Sequence, residues 1–222
     1  MAFEESLRLS IALGLTIFLV LLRFDSERIM RSDYFRYRFP WMGPVSYYGL
    51  VIAFAIGIVF ILPQGRARLF LTPGDPDVML PIMFTFAGVA ILNAIAFAFR
   101  WYGGITPLPT SLLPSRLIGA AASAVADELQ FRSIVLGLLI FAEVPGGVTA
   151  AVVIQALLYG LAQRRLLRER QWYFLIGSVL LGYACGWVTI TSNSVVPAMV
   201  GHFVVIAALF AFAGGRLRQR PI

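Results

Sequence analysis

Asp127-Glu128-Leu129-Gln130-Phe131-Arg132 places two carboxylates and one guanidinium within six residues of an otherwise apolar stretch. Ionisable side chains in such a setting are costly, so each calls for a partner or a chemical role such as proton transfer, ligand binding or an ion pair. Glu128 and Arg132 stand at i and i+4 with the acid first, the favourable order for a helical ion pair, and are expected to neutralise one another. Asp127 falls on a neighbouring face with no obvious local partner, which makes it the candidate base or ligand. Downstream, Tyr159 and Gln163 are spaced by four, Asn193 and Ser194 precede an apolar run, and His202, the single histidine, lies inside that run. A neutral buried imidazole could accept or donate a proton. The plainer reading of the same residues is a polar cluster that fixes helix packing, which membrane interiors also use.

The elements that must position these residues are apolar helices. With 59% hydrophobic and 13% charged residues and a mean hydropathy of +0.84 over 222 residues, the chain is not an ordinary soluble domain. Runs of roughly 20 apolar residues suit a hydrocarbon core about 30 Å thick. They predict an all-α, polytopic bundle of about seven helices, at 9–22, 45–62, 78–99, 117–141, 147–163, 172–190 and 194–213. The chemistry-bearing residues all fall in the last four.

All 18 basic residues are arginine. If seven helices alternate, one side carries Arg23, Arg28, Arg31, Arg36, Arg38, Arg100, Arg116, Arg164, Arg165, Arg168, Arg170, Arg216, Arg218 and Arg220, and the other only Arg8, Arg66 and Arg68. The positive-inside rule then puts the N-terminus outside and the C-terminus in the cytoplasm. The segment 24–44 interleaves arginine with Tyr34, Phe35, Tyr37, Phe39 and Trp41, as befits an interfacial element in the headgroup region. Cytoplasmic loops account for the net charge of +7, and nucleic acid is not an expected partner. The lone Cys185 cannot form an intrachain disulfide and reads as a small core residue. Patterns for soluble-type zinc, serine and nucleotide chemistry are missing.

The order of an acid-acid-x-x-Phe-Arg helix, an aromatic-x-x-x-polar helix and an Asn-Ser helix with a later His resembles the CPBP intramembrane proteases, also described by their ABI domain. That group includes the CAAX prenyl endopeptidases and bacteriocin-processing or immunity proteins. The resemblance covers about residues 78–213. The family pattern is Glu-Glu-x-x-x-Arg, Phe-x-x-x-His and His-x-x-x-Asn or Asp. Here Asp127 stands at the first Glu, Glu128, Phe131 and Arg132 match, Tyr159 replaces Phe, Gln163 replaces the first His, His202 matches, and Ile206 replaces Asn or Asp. For an intact member the resemblance implies peptide-bond hydrolysis at the membrane, with the first Glu and first His activating a water and the last pair stabilising the oxyanion. Transferred to this chain it leaves Asp127 as candidate base, Glu128 beside it, and His202 as candidate oxyanion donor. An amide takes no proton at neutral pH and is a poor zinc ligand, so Gln163 lacks the needed chemistry, and so does Ile206.

These residues predict an N-terminal transmembrane hairpin over 1–77, a CPBP-like core over 78–213 and a basic tail over 214–222. By helical rise, Asp127 and Gln163 are expected at comparable depth, with His202 roughly 10 Å shallower. The preferred reading is a membrane protein of this fold with lost or strongly reduced proteolysis, acting as a binding or structural subunit whose partners are the bilayer and another membrane protein or complex. An active endopeptidase is the alternative, and a proton-linked carrier the second. No cofactor is expected, and zinc only for a working site. The expected location is a bacterial cytoplasmic membrane.

Overall fold

A computed structural model describes residues 3–24, 42–163 and 172–214. The interfacial element expected at 24–44, the arginines 164–170 and the basic tail 214–222 lie outside the described residues almost entirely. Among the described residues the regular structure is all helical: α1 (Phe3–Phe24), α2 (Met42–Ile61), a single turn α3 (Gly65–Arg68), α4 (Pro76–Tyr102), α5 (Leu113–Glu128), α6 (Leu136–Phe141), α7 (Gly147–Ala162), α8 (Trp172–Ser192) and α9 (Val196–Ala213). Between α5 and α6 the chain does not break but widens into a π-helical stretch, Leu129–Val135, so 113–141 is one continuous rod.

Each of the seven expected segments coincides with a helix. Four are long and apolar enough to cross a membrane, Phe3–Phe24, Pro76–Arg100, Phe174–Ser192 and Val196–Ala213, whereas Val45–Ile61 and Gly147–Ala162 are apolar but shorter. Large apolar side chains point outward along the first three, among them Ile17, Phe84, Leu92 and Leu180. In lipid such faces need no further cover. The protein is a helical bundle of the membrane.

The rod 113–141 forms the centre. From Gln130 to Leu136 every residue is buried, which means that this stretch is enclosed on all sides. Around it lie α1, α2, α7, α8 and α9, with α9 packing most extensively on α4 and α8 on α7. Small residues set the closest approach: Gly182 and Gly186 of α8 lie against Ala156, Tyr159 and Gln155 of α7, where a methyl group would be tightly crowded. Gly201 of α9 meets the ring of Phe86 in the same way.

One connection dips inward. Residues 62–75 fold against the rod, where Ser133 Oγ donates to Leu69 O at 2.5 Å and Leu69 is fully buried. The α8–α9 turn is tied to this connection: Val195 N donates to Phe70 O (2.9 Å), Thr72 Oγ1 to Asn193 O (2.7 Å) and Ser194 Oγ to Thr72 O (2.8 Å). Asn193 is left-handed, with φ 48°, a conformation that Asn tolerates better than most residues. Ser194 also accepts from Val196 N at the start of α9. Asn193 and Ser194 are thus turn residues.

Candidate functional site

The inward turn decides where His202 ends up. Because Asn193–Val195 sits at the level of Ser133, His202 starts from inside the bundle and runs back about 10 Å toward the level of Glu128, itself about 7 Å along the rod from Ser133. The expected offset of His202 is therefore closed. Its Nδ1 lies 2.8 Å from Glu128 Oε1, and its Nε2 lies 3.3 Å from the Tyr159 hydroxyl. A neutral ring with the proton on Nδ1 satisfies both contacts: Nδ1–H donates to the carboxylate and Nε2 accepts from Tyr159 O–H.

Glu128 is shared. Its Oε2 is 3.1 Å from Arg132 Nε, with both side chains fully buried, so the expected i,i+4 ion pair is present across the start of the π-helical stretch. The contact is an ion pair without hydrogen-bond alignment, and the guanidinium carbon instead lies 4.2 Å from the centroid of the Tyr159 ring. Phe131 stacks edge-on against the same ring at 5.3 Å. Cys185 of α8 is buried beside Arg132.

Asp127 departs from expectation. It has a partner in Arg23, the penultimate residue of α1 and 104 positions away: Nη2 donates to Oδ2 at 3.1 Å, and Nε lies 3.0 Å from Oδ1 as an ion-pair contact without hydrogen-bond alignment. The Asp127 side chain is 4% exposed and that of Arg23 13%, so the pair is largely shielded. The same helix end is held a second time, by Gln130 Nε2 donating to Leu19 O at 2.8 Å, while Gln130 Oε1 accepts from the Tyr47 hydroxyl of α2. Arg23, counted in sequence among the loop arginines, is thus a member of the site. Its signal was available: Ala12, Thr16 and Leu19 are the buried stripe of α1, and Arg23 is the next position on it. Gln130, Tyr47 and Ser133 were likewise missed, since a single polar residue in an apolar run does not disclose which neighbour it faces.

Gln163 is half-buried at the C-terminal end of α7, one turn beyond Tyr159, and its side chain enters no hydrogen bond among the described residues. Ile206 is half-buried on α9, one turn beyond His202, and brings no polar atom. Asn193 and Ser194 serve the α8–α9 turn and not the cluster. The structure thus brings together Glu128, Arg132, Tyr159 and His202, places Arg23 and Asp127 beside them, and shows no polar contact of Gln163 or Ile206 among the described residues.

Arg23, Asp127, Glu128 and Arg132 set two guanidinium groups against two carboxyl groups, and Tyr159 and His202 continue the chain of contacts. As arranged, this set can hold a proton in place between Tyr159, His202 and Glu128, and can hold helices together. Zinc, which the resemblance implies for a working site, finds no fitting donor set: each carboxylate already faces a guanidinium, and among the described residues no three His, Cys, Asp or Glu side chains are grouped to hold a metal ion. The chemistry open to the cluster is that of its own side chains.

Residues 109–208 match the family model described as type II CAAX prenyl endopeptidase Rce1-like. That span contains every residue of the cluster except Arg23, Tyr47 and Leu19, and it agrees with the resemblance carried by the motifs. No curated protein and no solved structure matches the chain.

Proposed function

Since residues 109–208 of this helical membrane protein are those of a CAAX-protease-like domain, we propose that the chain keeps the architecture of such a protease while proteolysis is lost or strongly reduced, and that it acts as a binding or structural subunit in the membrane. The observation that carries this reading is that both acids of the motif are committed to arginines, Asp127 to Arg23 and Glu128 to Arg132, while the two positions that would complete the reaction hold Gln163 and Ile206. A general base contributes typically about 10²–10⁴ in rate and an oxyanion donor about 10²–10³. Losing both leaves little catalysis even without strict additivity.

The polar cluster then serves as a lock between helices, and the outward apolar faces meet lipid or a partner helix. The arginine distribution supports an external N-terminus and a cytoplasmic C-terminus in a bacterial cytoplasmic membrane. The test is cleavage of a prenylated, CAAX-type peptide by the purified full chain in lipid nanodiscs, together with cross-linking in native membranes. No cleavage above background, with a stoichiometric cross-linked membrane partner, is the expected outcome. Cleavage that disappears with Asp127→Ala would overturn the reading in favour of an active endopeptidase.

A further inference from the structure

We propose that α4 is a dimerisation helix: two copies of the chain pair in the membrane through their α4 helices, parallel to one another about a two-fold axis along the membrane normal, with the Asn93 amides meeting across the contact. The inference goes beyond the preceding reading and holds whether or not the chain cleaves peptides.

Three observations lead to it. First, Asn93 carries a polar group into an apolar medium. From Val78 to Phe99 the helix has no ionisable side chain, and Asn93 stands on its exposed side. By helical rise it lies about 10 Å before Arg100 and about 25 Å after Pro76, well inside a hydrocarbon core about 30 Å thick. A side chain with one methylene is too short to reach the headgroups from there. Asn93 Nδ2 donates to Val89 O of the same helix at 2.8 Å, which uses one of its two N–H groups. Among the described residues the side chain makes no other hydrogen bond, so its second N–H and its Oδ1 face lipid, where a polar group without a partner is costly.

Second, the surface around this amide is open and admits a close neighbour. One stripe of α4, Ala90, Ala94 and Ala98, is buried in the bundle, and α9 is the helix packed most extensively on α4. The other side presents Thr85, Val89, Leu92, Asn93 and Ala96, all exposed, with Leu92 68% so. Thr85 and Ala96 are short, which lets a second helix approach to the distance that an amide hydrogen bond needs.

Third, the chemistry selects a second copy as the occupant. Copies of one chain lie in the membrane in one orientation, so a two-fold axis along the normal sets their α4 helices parallel and brings Asn93 to the depth of its own counterpart. A carboxamide is both donor and acceptor, and two of them related by this axis can each give an N–H to the other's oxygen. An unrelated helix would have to bring a polar group of its own to that depth. The competing view, that Asn93 is satisfied by Val89 O alone and faces lipid, predicts a monomer indifferent to residue 93.

The two views are separated by counting subunits of the full chain in liposomes. Photobleaching steps of an N-terminal fluorescent tag, read as the protein is diluted into lipid, give the dimer fraction. Wild type is expected to dimerise, Asn93→Leu to dissociate at about 3- to 30-fold higher protein density, the range for loss of an interhelical hydrogen bond in a membrane, and Asn93→Gln to restore most of the dimer. Because residue 93 is exposed, these variants leave the bundle's own packing untouched, which reversible unfolding verifies.

The contact face is read by oxidative cross-linking in native membranes, in a Cys185→Ser background. Ala96→Cys is expected to give a disulfide-linked dimer, and Leu180→Cys, exposed on α8, to give none. A wild type that stays monomeric at every density, or an Asn93→Leu that dimerises as wild type does, overturns the proposal. So does an Ala96→Cys that links only to a different protein. The peptide-cleavage assay is independent of all three, so failure of the dimer leaves the reading of lost proteolysis standing, and cleavage by wild type leaves the dimer standing.

Discussion

Replacing Arg132 with methionine is expected to destabilise the fold more than any other single substitution in the cluster. The reason lies in what it leaves behind. Glu128 and Arg132 are both fully buried with 3.1 Å between Nε and Oε2, and at an effective dielectric constant of about 20 two unit charges at that distance attract by about 5 kcal/mol. Desolvation of the two ions offsets much of this, which is why an intact buried pair adds little net stability, but removing one partner strands the other charge and costs about 3–5 kcal/mol. Arg132→Met also removes the guanidinium from the face of Tyr159, a further loss of about 1–2 kcal/mol. The hydrogen bond from His202 Nδ1 to Glu128 Oε1 remains and moderates the cost, so about 3–5 kcal/mol is the figure to test. The measurement is reversible unfolding in mixed dodecylmaltoside and SDS for wild type, Arg132→Met, Glu128→Gln and the double variant. Each single variant is expected to lose several kcal/mol, and the double variant only about 1–3 kcal/mol, because an amide and a thioether leave no uncompensated charge. If the double variant instead loses the sum of the two singles, Glu128 and Arg132 are not coupled and the lock is refuted.

The helix contacts give further expectations, readable in the same unfolding assay. Gly201→Ala drives a methyl group into the Phe86 ring and is expected to cost about 1–3 kcal/mol, whereas Gly88→Ala, where nothing lies within 4 Å, should be neutral or slightly stabilising; equal effects would contradict the close approach of α9 to α4. Ser133→Ala removes the donor to Leu69 O and is expected to lose about 1–2 kcal/mol and to raise hydrogen exchange in 62–75, with unchanged exchange counting against the inward connection. Arg8→Ala breaks an exposed i,i+4 pair with Glu4 and is expected to shift stability by less than about 0.5 kcal/mol, a larger change showing that this end of α1 is held more firmly than its exposure implies.

How much of this was legible in the sequence depends on which physical signal each feature leaves. The helices were legible because an apolar run of bilayer length has few other uses, and all seven expected segments are helical. The Glu128–Arg132 pair was legible because i,i+4 spacing is a local rule, and it survives even though the chain widens to π-helix immediately after Glu128. The π-helical stretch itself was not legible: a segment buried on all sides has no hydrophobic stripe, so its sequence carries no periodicity from which a change of pitch could be read. The depth of His202 failed for a different reason. Counting residues from a turn presumes that the turn lies at the membrane face, and Asn193–Val195 instead hangs from the inward connection through Phe70 and Thr72. Arg23 shows most clearly how an average can hide a site. The positive-inside rule treats arginines near helix ends as interchangeable charges and assigned Arg23 to the loop group. The stripe Ala12, Thr16, Leu19, Arg23 treats each position by the face it occupies, and on that count Arg23 points inward and must find an acid. Asp127 is an acid of the core without a local partner and Arg23 a cation on the buried stripe of α1, and these two residues pair with one another. Long-range ion pairs inside membrane bundles are therefore better sought by matching unpaired residues on buried faces than by reading either motif alone.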